Sequence, residues 1–170
     1  MRNPSARYRL WQLLASLRAL FVVPKDDEAR QLLSREEYAL FRGMKRYDRA
    51  HGLRVFRHLQ ETEVDDPALL KAALLHDVGK SAGGESIPLL YRGAIVITKG
   101  FPKLWTWLSQ ERPAGDPRRP FYLYATHARR SAELARAAGS IDEVIALIAV
   151  HDDQEATGKA RLLQAADRQN

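Results

Sequence analysis

An all-α fold is predicted for these 170 residues, and three observations carry that expectation. Apolar residues recur at helical spacing, as in Leu10, Leu13, Leu14, Leu17, Leu20 and Phe21, while no stretch of any length alternates as a strand does. Helix-start signatures stand at Ser34 with Glu37, at Asp66-Pro67, and at Ser140 with Glu143. Two apolar runs, Leu69–Leu75 and Val144–Val150, read as buried helices, and each ends in His-Asp. Together they predict a compact, single-domain bundle of seven or more helices, with no internal repeat and no low-complexity tract.

Composition narrows the chemistry. Hydrophobic residues make up 45% and charged residues 28% of the chain, the balance of an ordinary globular protein with a real core. Cysteine is absent, which excludes disulfides and thiolate metal sites and fits a cytoplasmic location. A metal here must be held by His, Asp and Glu, a shell that favours Mn, Fe, Co, Ni, Mg or Zn. The formal net charge of +6 and pI of about 9.8 suit anionic partners such as phosphate-bearing substrates. No nucleic-acid-binding motif and no basic-aromatic stripe accompanies that charge.

The elements follow in order. Residues 1–23 read as an amphipathic helix packing on the domain, or alternatively lying on a membrane surface; Arg18 interrupts the apolar stretch and argues against a signal peptide. Pro24 to Arg30 is expected as a charged connection. A helix starts after Ser34, carries Tyr38, Leu40 and Phe41, and stops or bends at Gly43. Residues 1–46 form an N-terminal helical part on a core of 47–170.

The next helix is expected from Tyr47 to Gln60, burying Leu53, Val55, Phe56 and Leu59. His51 borders that face, and Asp48, three residues before it, is placed to orient its ring. His58 reads as an ordinary surface or packing histidine. Asp66 and Pro67 then open the helix that ends in His76-Asp77. Gly79 suits a left-handed helix end, and Lys80 brings a positive charge beside the pair.

After a Gly-containing loop, in which Glu85 is expected to be solvated, comes the apolar stretch Ile87–Leu108. Lys99-Gly100-Phe101-Pro102-Lys103 breaks it into two short helices, too short for a membrane span. It lines the core or a substrate pocket, or touches a membrane interface. Gln110 to Pro120 is a proline-containing loop. The helix Phe121–Ala138 turns His127 inward with Ser131, Leu134 and Ala138, and Gly139 stops it. The following helix ends in His151-Asp152-Asp153, and a last helix from about Gly158 carries Leu162, Leu163, Ala165, Ala166 and Asp167.

His76-Asp77-x-Gly79-Lys80 after an apolar run resembles the signature of the HD superfamily of metal-dependent phosphohydrolases. His51-Gly52-Leu53-Arg54-Val55 resembles the histidine motif upstream of it in that family, and Asp167 after Ala165-Ala166 resembles the family's terminal aspartate ligand. The resemblance spans roughly residues 47–167. It implies a divalent cation held by His51, His76, Asp77 and Asp167. His127 and His151 match, in order and approximate spacing, the extra histidines of the two-metal branches, so one or two ions are implied. The branch containing cyclic-dinucleotide phosphodiesterases has a His-His pair where this chain has His151-Asp152, and a Gly-Tyr-Pro motif that this chain lacks. That departure counts against cyclic di-GMP, while Asp152 remains available as a substitute oxygen ligand.

The implied activity is metal-assisted hydrolysis of a small phosphoester, a nucleotide or another phosphorylated molecule. Asp77 would ligate the metal and accept a proton from water, with Lys80 and Arg54 balancing phosphate charge. A reading of a different class is a metal-stabilised domain that senses a nucleotide without turnover.

Overall fold

The computed structural model describes residues 25–81, 84–153 and 155–170; the expected helix over 1–23 lies outside them. Among the described residues there are nine α-helices and no strand. They are α1 (Asp27–Leu32), α2 (Arg35–Gly43), α3 (Arg46–Glu61), α4 (Pro67–Leu75), α5 (Leu89–Thr98), α6 (Pro102–Leu108), α7 (Arg119–Ala137), α8 (Asp142–Val150) and α9 (Gly158–Gln169). None of them is long and apolar enough to cross a membrane.

The bundle is built on α4. Its N-cap, Asp66, accepts a hydrogen bond from the Leu69 amide at 3.0 Å, and Pro67 opens the first turn with a φ already suited to a helix. From Ala68 to Leu75 only Lys71 is not buried. Burying a leucine such as Leu74 or Leu75, each at 0% exposure, contributes about 1.5–3 kcal/mol. Helices α2, α3, α8 and α9 all pack on α4, and α7 packs on α8. Ala29, Phe41 and Met44 of the N-terminal helices share one continuous core with Leu53, Leu75, Ile148 and Leu163.

A second, smaller cluster holds α5 and α6 to the start of α7. Ile87, Ile95, Phe121 and Leu123 are its buried members, with Tyr91 and Trp105 packed against it.

Several local expectations are corrected. Residues 27–32 form α1 instead of a connection: Asp27 and Glu28 sit in its first turn, where the helix dipole favours them, and Ala29 is buried. Ser34 and Glu37 do form a reciprocal capping box, but Ser140 and Glu143 do not. The Ser140 hydroxyl donates to Glu37 at 2.7 Å, and α8 begins at Asp142 with no side-chain cap. Helix α8 buries Val144, Ile145, Leu147 and Ile148 but leaves Ala146, Ala149 and Val150 exposed, so it is enclosed on one side only. In the Ile87–Leu108 stretch the two short helices are present and Ile87 and Ile95 line a core as expected, yet their outer faces stand open: Leu90, Val96, Ile97, Phe101 and Trp107 are exposed.

Candidate metal centre

The last turn of α4 delivers His76 and Asp77 into the interior, at 0% and 1% exposure. The His76 amide still bonds to the Ala72 carbonyl at 2.8 Å, and the chain then tightens into a 3-10 turn, Val78–Ser81. Gly79 in that turn lies against α7. A Cβ there would come 2.5 Å from the His127 carbonyl oxygen and 2.8 Å from the Ser131 amide nitrogen. The Gly79 amide donates to the Ser131 hydroxyl at 2.9 Å. Gly79 is absent from the positive-φ positions, so the expected left-handed role is corrected: glycine is needed here for space.

Three buried histidines present themselves alike. His76 Nδ1–H donates to the Ala73 carbonyl at 2.9 Å, His151 Nδ1–H to the Ile148 carbonyl at 2.7 Å, and His127 Nδ1–H to the Tyr124 carbonyl. Each carbonyl fixes the tautomer and leaves Nε2 with a lone pair. These nitrogens converge: His127 Nε2 is 3.3 Å from His151 Nε2, and the His76 and His151 ring centroids are 5.0 Å apart. His51, on α3, completes the row, its Nε2 lying 2.7 Å from Asp167 Oδ1 on α9.

Asp77 stands in the middle. Its Oδ1 lies 3.5 Å from His76 Nε2 and 3.6 Å from His127 Nε2; its Oδ2 lies 3.9 Å from His51 Nε2 and accepts a 2.7 Å bond from Lys80 Nζ. At this centre, two buried polar atoms, His76 Nε2 and Asp77 Oδ1, find no hydrogen-bond partner among the described residues. Leaving such groups unpaired costs about 1–3 kcal/mol each.

The electrostatics follow from this crowding. Burial would raise the Asp77 carboxyl, but His76, Lys80, His127 and His51 outweigh it and hold it well below the usual carboxylate range. Burial would raise Asp167 too, but its hydrogen bond with His51 and the nearby His76 outweigh it and lower it. Burial and the Lys80 charge push His127 down to about 3, and burial with His76 lowers His151. Burial alone would lower His76 too, yet Asp77 and Asp167 raise it. An aspartate held anionic in this way suits ligation.

The donor set fits a divalent cation. His51, His76 and Asp167 form one group whose ligand atoms lie within 4.8 Å of one another, and His76, Asp77 and His151 form another. Facing imidazole lone pairs repel unless a proton or cation lies between them, and two metal–nitrogen bonds of roughly 2.0–2.1 Å can reach across 3.3 Å. His76 belongs to both groups but offers a single lone pair, so it serves one ion. Asp77, with two oxygens, is the side chain able to be shared. In comparisons with family models, curated proteins and solved structures, nothing matches this chain.

The remaining candidates fall away from the centre to different degrees. Arg54 is exposed, one turn along α3 from His51, and its guanidinium touches the Asn170 carbonyl at 3.4 Å. Asp152 is exposed and belongs to neither ligand group. His58 is half-buried and stands outside both groups. Asp48 does not orient His51: it is wholly buried, accepting from Arg92 at 2.6 Å and from the Ser81 hydroxyl at 3.2 Å. Glu85 is not simply solvated, since Arg119 grips it with bonds of 2.8 and 3.0 Å.

Three positioning groups were not foreseen. Ser131 receives the Gly79 amide. Gln164 donates to the carbonyls of His151, at 3.2 Å, and Asp153, at 2.7 Å, closing the end of α8. Tyr124 lies beside His127, with ring centroids 5.2 Å apart, and takes Lys80 Nζ at 5.5 Å and Lys99 Nζ at 5.0 Å over its face. Ser131 lies four residues beyond His127 and Gln164 three before Asp167, spacings that put each near its neighbour's face, but neither position names its partner.

Proposed function

We propose that this chain is a metal-dependent phosphohydrolase of the HD type, acting on a small phosphoester such as a nucleotide. What supports the reading is one observation: three buried imidazoles, each fixed through Nδ1, gather beside one buried carboxylate, with His76 and His127 Nε2 facing Asp77 and His151 Nε2 facing His127. His51, His76, Asp77 and Asp167 would hold a first divalent ion, and His127 and His151 with Asp77 a second. When bound, the ion supplies Lewis-acid polarisation of a phosphoryl oxygen and a water of lowered pKa.

The protein's own residues do the rest. Lys80 fixes one oxygen of Asp77 and keeps a positive charge beside the reacting phosphate. Arg54, exposed at the neighbouring turn, offers a second cation to the substrate's phosphate. The carbonyls of Ala73, Tyr124 and Ile148 keep the three imidazoles in the ligating tautomer.

A second reading, a metal-stabilised nucleotide sensor, draws support from Lys80, whose ammonium is already engaged by Asp77. Elemental analysis paired with turnover of nitrophenyl phosphomonoester, nitrophenyl phosphodiester and nucleoside monophosphates tests both. His76→Ala and Asp77→Ala should lose metal and activity together. Full metal content with unchanged turnover in either variant would sink the hydrolase assignment. Metal retained by the unaltered protein with no turnover of any phosphoester would favour the sensor.

A further inference from the structure

Helices α5 and α6 present an apolar surface that the rest of the described chain does not cover. On α5 the outer positions repeat at helical spacing: Leu89 and Leu90, then Val96 and Ile97 seven residues on, with Ile97 68% exposed. The row continues through the turn into Phe101, Leu104 and Trp107, the first 60% and the last 52% exposed. Ile95 and Trp105 face the other way and anchor the pair to α7. A further tie holds this face in place, because Arg92 on α5 bonds to the wholly buried Asp48. Contiguous large apolar side chains on a fixed outer face mark a contact surface.

Charge decides what it contacts. Between Ser86 and Gln110 there is no carboxylate, while Lys99 and Lys103 stand exposed on either side of Phe101. Arg118 lies over the Trp107 ring at 4.3 Å, its charge shared with Asp116 at 3.8 Å, so the two lysines carry the net positive charge of the face. Segment 1–24 has four arginines and no carboxylate, so its sequence supplies no negative charge to complement these lysines. A second copy would bring the same basic rim and meet repulsion. Tryptophan and lysine bordering an apolar row is the pattern that suits a headgroup–acyl boundary, where long cationic side chains reach the phosphates.

We infer that the outer face of α5 and α6 docks on the surface of an anionic lipid bilayer, with Ile97, Phe101, Leu104 and Trp107 entering the acyl boundary and Lys99 and Lys103 meeting lipid phosphates. The docked face adjoins the centre, since Lys99 sits over the same Tyr124 ring that lies tilted beside His127. The inference does not depend on turnover or on metal.

Co-sedimentation of the full chain with phosphatidylcholine vesicles, with and without phosphatidylglycerol, tests it. The protein should pellet with the anionic vesicles and far less with neutral ones. Ile97→Ser/Phe101→Ser/Trp107→Ser and, separately, Lys99→Glu/Lys103→Glu should each weaken the partition at least about tenfold, with helical circular dichroism unchanged. No pelleting with anionic vesicles overturns the inference. So does pelleting that neither variant weakens, which would assign the contact to segment 1–24. A dimer that both forms without lipid and dissociates in the apolar variant would give the face to a second copy instead. The lysine variant leaves the buried cluster of Ile87, Ile95, Phe121 and Leu123 untouched, so the test stands even if the apolar variant fails to fold.

Discussion

His127 Nε2 and His151 Nε2 face each other at 3.3 Å inside the protein, each ring having already spent its Nδ1 proton on a carbonyl. Neutral rings so arranged oppose lone pair to lone pair, and a cation relieves that opposition. Added Mn²⁺ or Zn²⁺ should therefore raise the thermal midpoint of the unaltered protein. At a hundredfold excess over the dissociation constant the gain is about 2.7 kcal/mol. The gain should shrink in His151→Ala and vanish in Asp77→Ala, as read by differential scanning calorimetry with chelator and with metal.

Gly79→Ala should destabilise the fold by about 1–3 kcal/mol, the usual penalty of forced overpacking. The added methyl would press on the His127 carbonyl and the Ser131 amide, both backbone and neither able to swing aside. Ser131→Ala removes only a hydroxyl acceptor and should cost less, near 1 kcal/mol. Urea unfolding of the two variants gives the order; equal losses would mean that the hydrogen bond, not the close approach, holds the turn.

Glu37 supplies a pH-dependent tie. Burial would raise its carboxyl, but Lys71, the Ser34 amide and the Ser140 hydroxyl lower it below the ordinary value of 4.5. A carboxyl lowered by folding stabilises above its unfolded value, and the benefit fades as pH falls through the lowered folded value. Glu37→Gln should thus cost about 1–3 kcal/mol near neutrality, and the two proteins should converge in stability only in acid. A difference that stays constant down to strongly acidic pH would show that the charge is not what matters.

Asp48→Ala leaves Arg92 without its carboxylate. Because Arg92 keeps 28% of its side chain exposed, the expected loss is roughly 2–3 kcal/mol, below that of a fully enclosed pair. Hydrogen exchange should locate the loosening in α5 and α6, leaving α4 protected; uniform loosening would contradict this.

Local signals made the helices readable from the residues. Asp66-Pro67, the Ser34–Glu37 box and Gly139, whose φ is +77°, act within a turn of themselves, and each sits at the helix end expected. The buried run before His76 and Asp77 announced that those side chains go inward. What stayed hidden was long-range. Ser140 beside Glu143 looks like a cap, but its hydroxyl is claimed by Glu37, 103 residues away. Asp48 is well spaced to meet His51, yet α3 turns it toward α5, where Arg92 takes it. Gly79 reads as a stop signal, and its need for space arises from the His127 carbonyl and from Ser131, 52 residues on, both far along the chain on α7. The open outer face of α5 and α6 was equally illegible, since an apolar stretch does not say which of its sides finds a neighbour.

The contact between His51 and Asp167 joins residues 116 positions apart. Closing so long a loop comes late in folding, after the nearer contacts have formed. During synthesis the chain emerges with His51, His76 and Asp77 already present and Asp167 still to come. A half-made protein thus lacks the complete set of donors, and ions met on the way, whatever their identity, find only a fragment of the site. For the metal centre proposed above, selection among ions would be deferred until the whole chain has closed around it.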